Sequence, residues 1–122
     1  MKILHLCLAG IFSEGYAYQE NLLPKYHKKA GHEVEVIASP RSFTPEGVMT
    51  YLDQQPPYIN NDGIRVVRLP YGRPLKLSRQ LRYYIGLYDA ISEFNPDIIF
   101  THGIQFYDMN VVIRYATKYP SD

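Results

Sequence analysis

The chain has 122 residues, enough for one hydrophobic core and too few for two. With 46% hydrophobic and 20% charged residues, 12 tyrosines and no tryptophan, its composition excludes a disordered tail and a fibrous repeat. A formal net charge of +1 removes any whole-molecule electrostatic case for nucleic acid, and no apolar stretch approaches the roughly 20 residues that a spanning helix needs.

The opening segment "KILHLCLA" (2–9) is a near-continuous apolar run of strand formers, the pattern of a strand buried on both faces of a parallel sheet. His5 interrupts the run and no small-residue cleavage pattern follows, so a first strand is expected here and not a signal peptide. The single cysteine, Cys7, lies inside this run, can form no internal disulfide, and fits a reducing cytosol. After a loop, "GIFSEGYAY", the pattern changes period from Gln19. Leu22, Leu23, Tyr26 and Ala30 fall at helical spacing, and Gly31 supplies a stop. "HEVEVIAS" (32–39) reads as a second strand. Residues 40–63, with four prolines and two glycines, read as a long irregular crossover holding at most a turn or two of helix near Glu46 to Leu52.

"GIRVVRLPY" (63–71) is a third strand introduced by the turn signal "NNDG". Leu77, Leu81, Tyr84, Ile85, Tyr88, Ile91 and Phe94 then predict one long second helix ended by Asn95-Pro96. "DIIF" (97–100) is a fourth strand, and 106–119 a third helix with Met109, Val112, Ile113 and Ala116 on one face. Alternating strands and helices call for right-handed crossovers: a Rossmann-like, doubly wound parallel sheet in three α/β/α layers. The last helix ends where a fifth strand would follow, so the sequence reads as a fragment truncated before that strand. Its uncovered sheet edge gives the fragment a route to self-association.

Ligands of open α/β sheets sit outside the carboxyl ends of the strands. Those ends are the loop 10–18, Ser39 to Arg41, Tyr71 to Arg73 and Thr101 to Gln105. The first loop shows Gly10 and Gly15 at G-x4-G spacing, which is neither nucleotide fingerprint, and no acidic residue ends the second strand to hold a ribose. Gly10 and Gly15 can still let a substrate approach the backbone. Glu14 lies between them, within reach of a substrate. His102 follows the fourth strand, beside Thr101 and Gly103, where an imidazole can hydrogen-bond a sugar hydroxyl or stabilise charge during transfer. The other histidines, His5, His27 and His32, lack metal-ligand spacing, so no metal is expected. Arg65, Arg68, Arg73, Lys76, Arg79 and Arg82 run without an intervening acid. Within this basic stripe, Arg73, Lys76, Arg79 and Arg82 suit an anionic acceptor or anionic headgroups. From the residues alone, an enzyme and a non-catalytic Rossmann-like binding or interaction module both remain open, and within the enzyme class so does part of a nucleotide-sugar epimerase.

Taken together and in order, "MKILHLCLAGIFSEGYAYQENLLPKYHKKAGHEVEVIAS", "DGIRVVRLPY" and "NPDIIFTHG" resemble the amino-terminal domain of GT-B glycosyltransferases of family 4, also called group 1. The resemblance covers nearly all of residues 1–119. It implies retaining transfer of a sugar from a nucleotide-sugar donor to a glycan or lipid-linked acceptor, in a cleft between two Rossmann-like domains. The nucleotide sugar is then a co-substrate, with no cofactor and no metal. His102 matches the family's histidine after the fourth strand, and Gly10 and Gly15 lie in the loop that faces the cleft. Many members carry a double glycine where this chain has Ala9-Gly10-Ile11-Phe12, and the carboxyl-terminal domain with its E-x7-E motif lies outside this sequence. The expected setting is cytoplasmic, with peripheral contact at the inner face of the membrane, and the fragment alone is expected to be inactive.

Overall fold

A computed structural model describes residues 1–8, 12, 19–44, 46–52, 55–72, 75, 84–102 and 109–118. Among them lie the strands β1 (Lys2–Cys7), β2 (Glu33–Ala38), β3 (Arg41–Phe43), β4 (Met49–Tyr51), β5 (Tyr58–Ile59), β6 (Arg65–Arg68) and β7 (Ile98–Thr101). The helices are α1 (Gln19–Lys29), α2 (Leu87–Phe94) and α3 (Met109–Lys118).

Five strands form one sheet in the order β5-β6-β2-β1-β7. β1 pairs in parallel with β2 and with β7, and β2 pairs in parallel with β6, so the four apolar runs all point one way. Connections that leave β1 toward β2 on one side and return to β7 on the other create a switch point at the carboxyl end of β1. The short β5 adds an antiparallel edge.

Alternation along β1 divides the core in two. Leu4, Leu6 and Leu8 join Ile37 on the face covered by Leu87, Ile91 and Phe94 of α2 and Val112 and Tyr115 of α3. Each such leucine contributes roughly 1.5–3 kcal/mol on burial. The opposite face gathers Cys7, Val34, Val36, Ala38 and Val66 with Phe12 and Ile64. α1 lies over that face, its His27 reaching His5 of β1. Helices on both faces of a mostly parallel sheet complete the expected Rossmann-like α/β layering. No helix of the described residues is long and apolar enough to cross a membrane.

The structure corrects four expectations. Residues 40–63 are not an irregular crossover with a helical turn: β3 and β4 pair antiparallel, Arg41 opposite Tyr51 and Phe43 opposite Met49. The stripe from Leu77 to Phe94 does not mark one continuous helix. Tyr84 bridges Tyr71 in antiparallel fashion, Gly86 takes φ 84 in the left-handed region, and α2 starts only at Leu87. A backbone turn there defeats a hydrophobic spacing that continues through it. Asn95, also left-handed, ends α2 by donating its N–H to the Ile91 carbonyl at 2.9 Å, where Asn95-Pro96 had been expected to. In α3 the buried side chains are Val112 and Tyr115, whereas Ile113 is 56% exposed and Ala116 is exposed. In α1 Tyr26 is 59% exposed and Leu22 exposed, while Pro24 is buried and His27 half-buried.

Candidate functional site

The ladder hydrogen bonds carry the strands' carboxyl ends to a common rim. The His102 N–H donates to the Leu6 carbonyl at 3.0 Å, the Ser39 N–H to Cys7 at 3.3 Å and the Leu69 N–H to Ala38 at 3.0 Å. His102 therefore stands at the carboxyl end of its strand, as expected, and the pairing of β7 with β1 sets it beside the end of β1, at the switch point. Its imidazole is only 8% exposed.

Phe100 pairs with His5 across β7 and β1, and His102 follows two residues later on the same face. Their rings pack together, with centroids 5.3 Å apart for His5 and Phe100 and 5.1 Å for Phe100 and His102. The consequence is a direct contact: His5 Nδ1 lies 2.9 Å from His102 Nε2. The other nitrogen of His5, Nε2, lies 2.8 Å from Nδ1 of His27 in α1. His32 meets His27 edge-on at 6.3 Å, and its Nδ1 lies 3.3 Å from the Met1 amine. All four histidines of the chain thus line one face of the sheet, from the carboxyl rim to the amino rim.

His5 has 0% exposure. Burial, and then the neighbouring His102 and His27, push its pKa down to about 3. The ring is consequently neutral at physiological pH, with one N–H to give and one lone pair to receive.

A second rim feature is Arg68, at the end of β6 and buried. Its guanidinium donates to the carbonyls of Ser39 at 2.7 Å, Arg41 at 3.2 Å and Phe12 at 2.7 Å, and to the Tyr58 hydroxyl at 3.1 Å. It also lies over the Phe12 ring, 5.4 Å from the centroid. One planar fork thereby ties the segments after β1 and β2 together. From the other face of the sheet the Tyr84 hydroxyl donates to the Leu8 carbonyl, so the end of β1 is held on both sides. Arg68 is accordingly no part of an exposed basic stripe. Arg65 also leaves it, pairing with Glu35 at 3.3 Å, a carboxyl raised above its ordinary range by burial against the opposing pull of Arg65.

Of the catalytic and substrate-binding residues expected from the sequence, His102 and Thr101 are described. Thr101 closes β7 opposite Leu6, and the alternation of the strand sends its side chain to the other face from His102, so the two are not brought together. Gly10, Glu14, Gly15, Gly103, Arg73, Lys76, Arg79 and Arg82 lie outside the described residues. Sequence reasoning missed His5, His27 and Arg68 as parts of the site. The available signal was His5 itself, because a polar ring in the middle of a doubly buried strand requires a hydrogen-bonding partner.

The three linked imidazoles do not frame a metal centre. His5 meets one neighbour through Nδ1 and the other through Nε2, whose lone-pair directions diverge, so no single ion is reached by all three. What the arrangement does offer is an oriented imidazole at the carboxyl end of its strand, held by a second imidazole, on a rim where Arg68 ties Phe12 to Ser39 and Arg41.

No curated protein and no solved structure was found to match the chain. A family model, glycosyl transferase 4-like domain, matches residues 17–119. That span takes in β2, β6, β7 and His102. The chain therefore belongs to the glycosyl transferase 4-like domain family, with the fold of the amino-terminal domain of a family 4 GT-B glycosyltransferase.

Proposed function

We propose that the chain forms the acceptor-side domain of a two-domain, retaining glycosyltransferase that moves a hexose from a nucleotide-sugar donor to a glycan or lipid-linked acceptor in cytoplasmic polysaccharide biosynthesis. The observation that carries this reading is the seat of His102 at the carboxyl rim, where β7 lies beside β1 at the switch point of the sheet. In such a transfer the bond from the anomeric carbon to the leaving phosphate oxygen breaks as the bond to the acceptor oxygen forms. An imidazole at the rim serves it by hydrogen-bonding a sugar hydroxyl and holding the ring in place.

Residues 1–122 are by this reading inactive alone, because the donor and acceptor must be held together in a closed, water-poor cleft. Arg73, Lys76, Arg79 and Arg82 supply the contact with an anionic acceptor or with the inner membrane face. Gly10, Glu14, Gly15, Thr101 and Gly103 contact the substrate by this reading, and the nucleotide sugar enters as a co-substrate without metal. The test is release of UDP or GDP by the full-length protein from UDP- and GDP-sugars, where His102→Ala is expected to lower the rate at least tenfold. Full activity in that variant removes His102 from the mechanism, and binding without turnover in the unaltered protein favours a non-catalytic module.

A further inference from the structure

The buried contacts of His5 are one nitrogen-to-nitrogen approach on each side of its ring, 2.9 Å to His102 Nε2 and 2.8 Å to His27 Nδ1. Each approach is a hydrogen bond only if it holds a single proton. Since His5 is neutral, only two arrangements satisfy both contacts. In one, His27 donates from Nδ1 to His5 Nε2 and His5 donates from Nδ1 to His102 Nε2, which leaves the proton of a neutral His102 on Nδ1. In the other the direction reverses: His102 donates from Nε2, His5 accepts at Nδ1 and donates from Nε2, and His27 accepts. Any mixture sets two protons or two lone pairs against each other beside the Phe100 ring, which packs on all three imidazoles.

We propose that His5 and His27 are positioning residues that set the tautomer of His102: whether His27 gives or takes a proton at Nδ1 decides which nitrogen of His102 carries its own. The inference rests on the reading of His102 as the rim histidine of a sugar-transfer site. By it, the donor or acceptor character of His102 toward a substrate is governed from α1, which lies over the same face of the sheet. His27 is half-buried, with Lys28 and Lys29 after it in the same turn and His32 against its ring edge. A group there reaches His102 through His5, its 2.8 Å partner in β1.

The experiment uses the 122-residue chain with ring-15N histidine, observed by side-chain NMR at pH 7.5. In the unaltered chain, through-hydrogen-bond nitrogen–nitrogen couplings are expected between His5 and His102 and between His5 and His27. Their absence overturns the proposal whatever the variants do. His27→Lys, an obligate donor, should drive His102 to the Nδ1–H tautomer, and His27→Glu, an obligate acceptor, to the Nε2–H tautomer. The same His102 tautomer in both variants overturns the proposal. None of these readouts needs turnover, so linked tautomers in a protein that transfers no sugar would reject the transferase reading alone.

Discussion

Acid is expected to unfold this protein earlier than its carboxylates alone would require, and His5 is the reason. Its ring titrates at about 3 in the folded chain and at 6.5 when free of its surroundings. The folded pKa is thus depressed, so between these values the unfolded chain binds a proton that the folded chain refuses. Stability is intact above pH 6.5 and is lost as pH falls toward 3, at about 1.4 kcal/mol per pH unit. At pH 5 the loss from this one group is about 2 kcal/mol, and at pH 3, where the folded ring is itself half protonated, it is about 4 kcal/mol. Against total stabilities of about 5–15 kcal/mol for a single domain, that is a large share. Urea unfolding at pH 7.5 and at pH 5, for the unaltered chain and for His5→Gln, measures it. Glutamine keeps a donor and an acceptor but does not titrate, so the unaltered chain should lose about 2 kcal/mol more than the variant across that interval. Parallel losses in the two proteins would refute the claim that His5 is buried and neutral.

Arg68→Met keeps the length of the side chain and removes every donor, leaving the Ser39, Arg41 and Phe12 carbonyls without the guanidinium that holds them. A loss of about 2–4 kcal/mol in thermal or urea unfolding is expected, and a loss under about 0.5 kcal/mol would show that the fork is dispensable. If Arg79 and Arg82 meet anionic lipid, charge reversal at both should weaken flotation of the full-length protein with anionic vesicles, and added salt should weaken that of the unaltered protein. Flotation that ignores both would reject the membrane contact.

Much of the sheet could be read from residues because β1 and β2 are buried on both faces, and "KILHLC", "EVEVIA", "RVVR" and "IIFT" are short apolar or alternating runs bounded by turn signals. The end of the run "IIFT" places His102 at the carboxyl end of its strand, so that much was also legible, whereas the pairing of that strand with β1 was not. The hairpin of β3 and β4 was hidden by its flanking prolines, since pairing of two three-residue strands leaves almost no periodic trace. The long helix was over-read because side-chain spacing records which residues are apolar and not where Gly86 turns the chain. The buried side of α1 was misjudged for a related reason. The sheet surface beneath it at β1 and β7 is His5, Phe100 and His102, so the side chain that meets it is an imidazole and not a leucine. Nothing local marks that partnership, since His27 is 22 residues from His5, and His102 is 97 residues from it. Arg68 reads as a surface cation until the strand alternation that buries Val66 is extended to it.

The claim that a sugar substrate meets this domain at the carboxyl rim is most directly tested by titrating the isotope-labelled full-length protein with UDP-glucose and GDP-mannose, alone and with acceptor glycan. The account predicts that resonances of His102, Ser39 and Leu8 shift first, while Met1, Glu33 and Asp97 at the other end of the strands stay in place. Shifts confined to Met1, Glu33 and Asp97 would put the ligand at the wrong rim and contradict it.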